Sequence, residues 1–112
     1  AKEEKELKEF VFECVGPSGT LILVEGVTDN SNRTVQQLRT LSEELECKPA
    51  DPGSALWAFE LVDEVIDGVP TRHYQPRYPQ PAEPALAEEL RQIAAAFDEH
   101  EDAQRVITNY EI

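Results

Sequence analysis

The apolar spacing of residues 10–45 changes once, from a period of two to a period near 3.6, and the change falls on a single cluster of cap-forming side chains. Before the cluster, Phe10, Phe12 and Cys14 share one face of an extended run, with Val11, Glu13 and Val15 on the other. A second run, residues 20–27 (TLILVEGV), is nearly all apolar, as suits a strand covered on at least one face. Gly16-Pro17-Ser18-Gly19 supplies the turn between them, because proline presets φ and the glycines can take positive φ. Next comes Thr28-Asp29-Asn30-Ser31-Asn32, whose side chains accept hydrogen bonds from the free N–H groups of a helix start. Val35, Leu38, Leu41 and Leu45 follow at helical spacing until Pro49 and Asp51-Pro52-Gly53 end the helix. A hairpin that turns directly into an amphipathic helix restricts the chain to the α+β class.

The remainder extends the same alternation. Residues 54–62 (SALWAFELV) predict a strand with Leu56 and Ala58 on one face and Trp57, Phe59 and Leu61 on the other. Asp67-Gly68 predicts a two-residue hairpin turn between DEVI and VPTRHY. Prolines at 76, 79, 81 and 84 make residues 76–84 an extended connector. Residues 85–99 read as a second helix with Leu86, Leu90, Ile93, Ala94 and Phe97 as its stripe, and residues 104–112 as a last strand. Residues 1–9 are polar and read as a frayed helical lead-in. The expectation is one domain over residues 1–112, in the order β-β-α-β-β-α-β. It is an α+β fold, an antiparallel sheet with two helices packed on one face.

Charge narrows the function. Ten basic against 23 acidic residues give −13 at neutral pH, which repels phosphate backbones and anionic membranes from any broad face. No apolar run approaches the ~20 residues that span a bilayer, and AKEEKELKE has no apolar core of a signal peptide. The expected setting is the cytoplasm. Cys14 and Cys47 stand in no CxxC or Cys/His spacing, so they read as reduced thiols. Glu43, Glu44 and Glu46 beside Cys47 are expected to raise its thiol pKa. Ser18 lies in no G-x-S-x-G frame, and His73 and His100 have no recognisable nucleophile partner, so no enzyme, metal site or cofactor is expected.

Several strings resemble one known family. Phe12-Glu13 with Gly16-Pro17-Ser18-Gly19, Leu23-Val24-Glu25, and Val27-Thr28-Asp29-Asn30-Ser31-Asn32-Arg33-Thr34-Val35 are similar to the "YEGYGPGG…IVE…TDNxNRT" run of the YebC/PmpR family. Gly53-Ser54-Ala55-Leu56-Trp57-Ala58-Phe59 resembles its "GSVxWxF" strand, and the residues from Phe97 to Tyr110 its "LEDxDDVQxVYxN" ending. The resemblance implies the family's middle domain. Family members also carry a basic three-helix domain at the N-terminus and a ferredoxin-like domain inserted after the "WxF" strand. Neither has a counterpart here, and residues 61–72 alone stand at the insertion point. Members are described as DNA-binding transcriptional regulators and as translation factors acting on the ribosome, with one mitochondrial relative. The implied role is a non-catalytic module contacting ribosome, RNA or DNA, in the cytoplasm or the mitochondrial matrix.

The sharpest candidate site is the helix entry: Asp29, Asn30, Asn32, Arg33 and Thr34, with Gly16 and Gly19 on a neighbouring turn. A helix N-terminus beside an arginine suits an anion such as a phosphate. The plainer alternative is that these residues cap the helix and Arg33 pairs with an acid. A second candidate is VPTRHYQPRYPQ, where Arg72 and Arg77 alternate with tyrosines fit to stack on unpaired bases. The alternative function is an acidic protein–protein module, or nucleic-acid mimic, that binds a basic protein through residues 43–67 and 83–102. The run Asp98-Glu99-His100-Glu101-Asp102 reads as a solvated loop. Large side chains on both the Phe10/Phe12 and the Trp57/Phe59/Leu61 faces lead to the expectation of a homodimer.

Overall fold

The structure, a computed structural model, describes residues 6–112. Strands β1 (Lys8–Val15) and β2 (Leu21–Thr28) form an antiparallel hairpin whose register runs from Lys8↔Thr28 to Val15↔Leu21. β1 therefore takes in Lys8 and Glu9, which belong to the strand and not to a helical lead-in; residues 1–5 lie outside the described residues. Both side chains are exposed at the strand's outer end, so their polarity does not oppose the pairing.

After β2 the chain enters helix α1 (Ser31–Glu44), and a two-residue strand β3 (Lys48–Pro49) then returns to β1. The expected strand over residues 54–62 forms only in its second half. Residues 51–58 are turns and a 3-10 segment (Leu56–Ala58), and β4 (Phe59–Ile66) begins at Phe59. The reason lies on β1. The buried carboxylate of Glu13 accepts hydrogen bonds from the backbone N–H groups of Gly53 at 2.8 Å and of Ala55 and Leu56 at 2.9 Å. Those donors are thereby withdrawn from any ladder. Trp57 then points outward and is exposed, while Ala55 and Phe59 are buried against Leu23.

β4 pairs with β5 (Val69–Pro76) across Asp67 and Gly68, whose φ values of 51° and 79° are the two left-handed positions that a type I′ turn requires. The connector contributes β6 (Gln80–Pro81), then helix α2 (Pro84–Asp98), β7 (Ala103–Thr108) and β8 (Tyr110–Glu111). The main sheet has the order β3-β1-β2-β7; the β4–β5 hairpin is a separate ribbon, and β6 pairs parallel with β8. The predicted order thus holds with three short strands added.

Both helices lie on one face of the main sheet. Leu38 of α1 and Leu90, Ile93 and Phe97 of α2 pack on Phe12, Cys14, Ile22 and Val24. Each such fully buried side chain contributes roughly 1.5–3 kcal/mol. Phe12 meets Phe97 with ring centroids 6.3 Å apart. Phe12 and Phe59 are buried and Phe10 is partly buried, so the expectation of two open aromatic faces is corrected. Of the exposed large apolar side chains, Trp57, Leu61, Val65 and Val69 come from the hairpin or its approach, and Leu7, Val11, Tyr78 and Ile112 are scattered elsewhere.

Candidate functional site

The entry to α1 is built by three separate segments. Asn30, in extended conformation, is the N-cap, and its Oδ1 accepts from the Arg33 N–H at 3.1 Å. Thr28, the last residue of β2, is fully buried, and its hydroxyl shares a 2.7 Å hydrogen bond with that of Thr34 while accepting from the Asn30 N–H. The third segment is the turn before β7. Asp102 Oδ2 is 2.7 Å from the Thr34 hydroxyl and accepts from the Arg33 guanidinium at 3.3 Å. The same Arg33 nitrogen donates to Asp29 at 3.0 Å. The Thr34 hydroxyl, and after it the Arg33 guanidinium, hold the Asp102 carboxyl below the usual carboxylate range.

Gly26 makes this arrangement possible. A Cβ at that position would lie 1.9 Å from the Asp102 carbonyl oxygen, and the register of β2 against β7 shifts there. The absent side chain lets the Asp102 carbonyl accept from the Val27 N–H at 3.2 Å, which aims the Asp102 carboxylate at α1. His100 completes the turn: its Nδ1 accepts from the Asp102 N–H, and its Nε2 donates to Gln37 of α1 at 2.7 Å. Sequence reasoning missed Gly26, Asp102 and His100 as parts of this site. Asp102 is not in a solvated loop as expected; its side chain is 15% exposed and bonded to α1.

The predicted residues are not all brought together. Asp29, Asn30, Arg33 and Thr34 converge, whereas Asn32 faces solvent one position along the helix. Gly16 and Gly19 lie at the opposite end of the β1–β2 hairpin, about 20 Å away at strand rise, so they do not flank the helix entry as expected. Arg72 is engaged with Asp63 across the hairpin, at 2.8 and 3.2 Å, and Arg77 donates to the Trp57 carbonyl. His73 is buried between the Tyr74 carbonyl and the Glu64 carboxylate.

Two further acids and the thiols behave as their surroundings dictate. Burial pushes the Glu25 carboxyl up; it accepts from the Tyr74 N–H and lines a cleft of about 440 Å³ between the hairpin and the main sheet. Cys47 departs from the expectation. Its thiol pKa is lowered, because the buried Cys14 thiol hydrogen-bonds to it, and Cys14 is raised correspondingly. The expected acidic neighbours do not dominate.

The first ten residues of α1 are free of acid in a strongly acidic chain. Residues 31–40 (SNRTVQQLRT) contain two arginines and no acid, and Ser31, Asn32, Gln36, Arg39 and Thr40 are exposed around a shallow depression. Arg39 has no ion-pair partner among the described residues.

Comparison with known proteins places this geometry. Residues 7–66 match the family model described as the TACO1/YebC second and third domain. Proteins named probable transcriptional regulatory protein are similar over about half of the chain. One from Chloroflexus aurantiacus is 42% identical over 57 residues, 51% of this chain and 23% of that protein. Another, from Thermoanaerobacter pseudethanolicus, is 40% identical over 60 residues, 54% of this chain and 24% of its own length. The match thus spans about a quarter of the relatives' length. The crystal structure of a conserved hypothetical protein from Aquifex aeolicus superposes on all of this chain and on 68% of its own, with a TM-score of 0.82 at 16% identity, which establishes a shared fold. With the hairpin, the capped helix and the TDNSNRT entry inside the matched segment, the chain belongs to the TACO1/YebC family.

Proposed function

We propose that this chain is a non-catalytic regulatory module that contacts nucleic acid, as RNA on the ribosome or as DNA, through the outer face of α1. The observation that carries this is the absence of acid from residues 31–40 in a chain of net charge −13. Such a field orients the molecule toward phosphate by an acid-free face. The other acid-free run with two arginines, residues 68–82, offers less, because Arg72 is bonded to Asp63 and Arg77 to the Trp57 carbonyl. Asn32, Gln36 and Arg39 are the contacting side chains, and Arg33 lies at the rim. Arg33 is a weaker candidate than its motif implies, since a phosphate must compete with Asp29 and Asp102 for it. Two arginines release few counterions, so the affinity is modest and its salt dependence shallow.

The test is co-sedimentation of the chain with ribosomes, and a mobility shift with single-stranded RNA and with duplex DNA, at low salt. Arg39→Glu is expected to abolish retention by whichever of these binds, with the melting temperature unchanged because the side chain is exposed. Retention equal to that of the unaltered chain contradicts the reading. Capture of a basic protein from nuclease-treated lysate, with no retention by nucleic acid, favours the acidic protein-binding module instead.

A further inference from the structure

The β4–β5 ribbon has two edges, and they are not equivalent. The Tyr74 N–H leaves the ladder to donate to Glu25 Oε2 at 3.3 Å, so Tyr74 and its register partner Leu61 form a pair whose backbone groups point outward. Alternation then turns the N–H and C=O groups of Asp63 and Val65 outward on β4, and on β5 those of Arg72 and the C=O of Pro70. The outer edge of β5 is blunted to a single N–H, that of Arg72, because Pro70 and Pro76 have none to offer and Glu25 holds that of Tyr74. The outer edge of β4 carries no proline and pairs with no strand among the described residues. It therefore presents three unpaired N–H groups in register, at Leu61, Asp63 and Val65.

The side chains along that edge state what can pair with it. Leu61 and Val65 are 47% and 69% exposed and share one face of β4 with Asp63, which is bonded to Arg72, while Glu60 and Glu64, the latter bonded to His73, share the other with Val62 and Ile66. Residues 60–67 hold four acids and no base. A second copy adding β4 to β4 about a two-fold axis sets these acids against one another, which opposes self-pairing. A strand that carries basic and apolar side chains matches the net negative charge of this edge and the exposed Leu61 and Val65.

We propose that the outer edge of β4 is a strand-addition site for an extended basic segment of another protein. Backbone hydrogen bonds to Leu61, Asp63 and Val65 supply the register, and the excess of acid along the edge supplies the selectivity for basic over acidic strands. This surface is distinct from the outer face of α1.

The test uses the full chain, isotope-labelled, with a synthetic (Lys-Val)3 peptide and a (Glu-Val)3 control at about 1 mM. Amide exchange at Leu61, Asp63 and Val65 is expected to slow at least about tenfold with the basic peptide and not with the control. Val65→Pro removes one outward donor without touching the bonds to β5, and is expected to weaken the peptide about tenfold. Retained cross-strand proximity of Leu61 and Tyr74 shows that the hairpin survives the substitution. The proposal is overturned by no protection, by equal protection from both peptides, or by unchanged affinity of the proline variant. Protection that appears without peptide and grows with protein concentration assigns the edge to a second copy and also overturns it.

Discussion

The entry to α1 and the β4–β5 hairpin both set arginine beside acid, and they use the pairing in opposite ways. At the helix entry, Arg33 joins Asp29 to Asp102, residues brought from different parts of the chain, and the surrounding hydroxyls and backbone N–H groups are bonded to one another, with the buried Arg33 Nε alone left without a partner among the described residues. In the hairpin, Arg72 and Asp63 face each other across one ladder, with side chains 65% and 71% exposed. The first pairing closes the fold around a turn; the second adds little to a ribbon already fixed by its own turn. The comparison shows that a distinctive polar string is no sign of a ligand by itself. Thr28, Asn30, Arg33 and Thr34 are engaged in an internal junction, and the two proposed contacts rest instead on Arg39 and on the unpaired β4 edge.

The largest expected contrast is between two glycines. Gly26→Ala pushes a methyl group into the Asp102 carbonyl, and backbone has to move; the expected loss is about 3 kcal/mol or more. Gly68→Ala meets open space, and its left-handed φ of 79° costs about 1 kcal/mol. Urea unfolding of both variants measures this, and equal losses would mean that the junction is no tighter than the ribbon tip.

A smaller effect sharpens the same contrast through pH. Asp102 has a folded-state pKa below its unfolded value near 3.9, so ionised Asp102 favours the folded state. That contribution is fully present above about pH 4 and is lost as the pH falls through the folded value. The stability difference between the unaltered chain and Asp102→Asn is therefore expected to shrink between pH 7 and pH 3. A difference that stays constant or grows would show that the carboxylate charge plays no part in the junction.

Much of the fold was legible because each element announced its period. The hairpin of Phe10, Phe12 and Cys14, the stripes of both helices and the Asp67-Gly68 turn all follow from local spacing and turn chemistry. The misread strand at residues 54–58 was not legible, since its fate depends on the Glu13 carboxylate some forty residues earlier. The site was legible only in half. The capping roles of Asn30 and Thr34 are local, but Asp102 stands 68 residues from Thr34 and looked like one more acid in a charged run. Gly26 carried a faint signal, an isolated glycine within an apolar strand, which often marks close backbone approach.

Native-state hydrogen exchange tests most directly the central claim, a closed junction at α1 beside an open β4 edge. The Val27 and Arg33 amides donate to Asp102 and Asn30, and the account predicts that they exchange slowly, near the rate set by global unfolding. Leu61, Asp63 and Val65 are predicted to exchange at least about a hundredfold faster, because their donors face solvent. Val27 and Arg33 exchanging as fast as Asp63 would contradict the account.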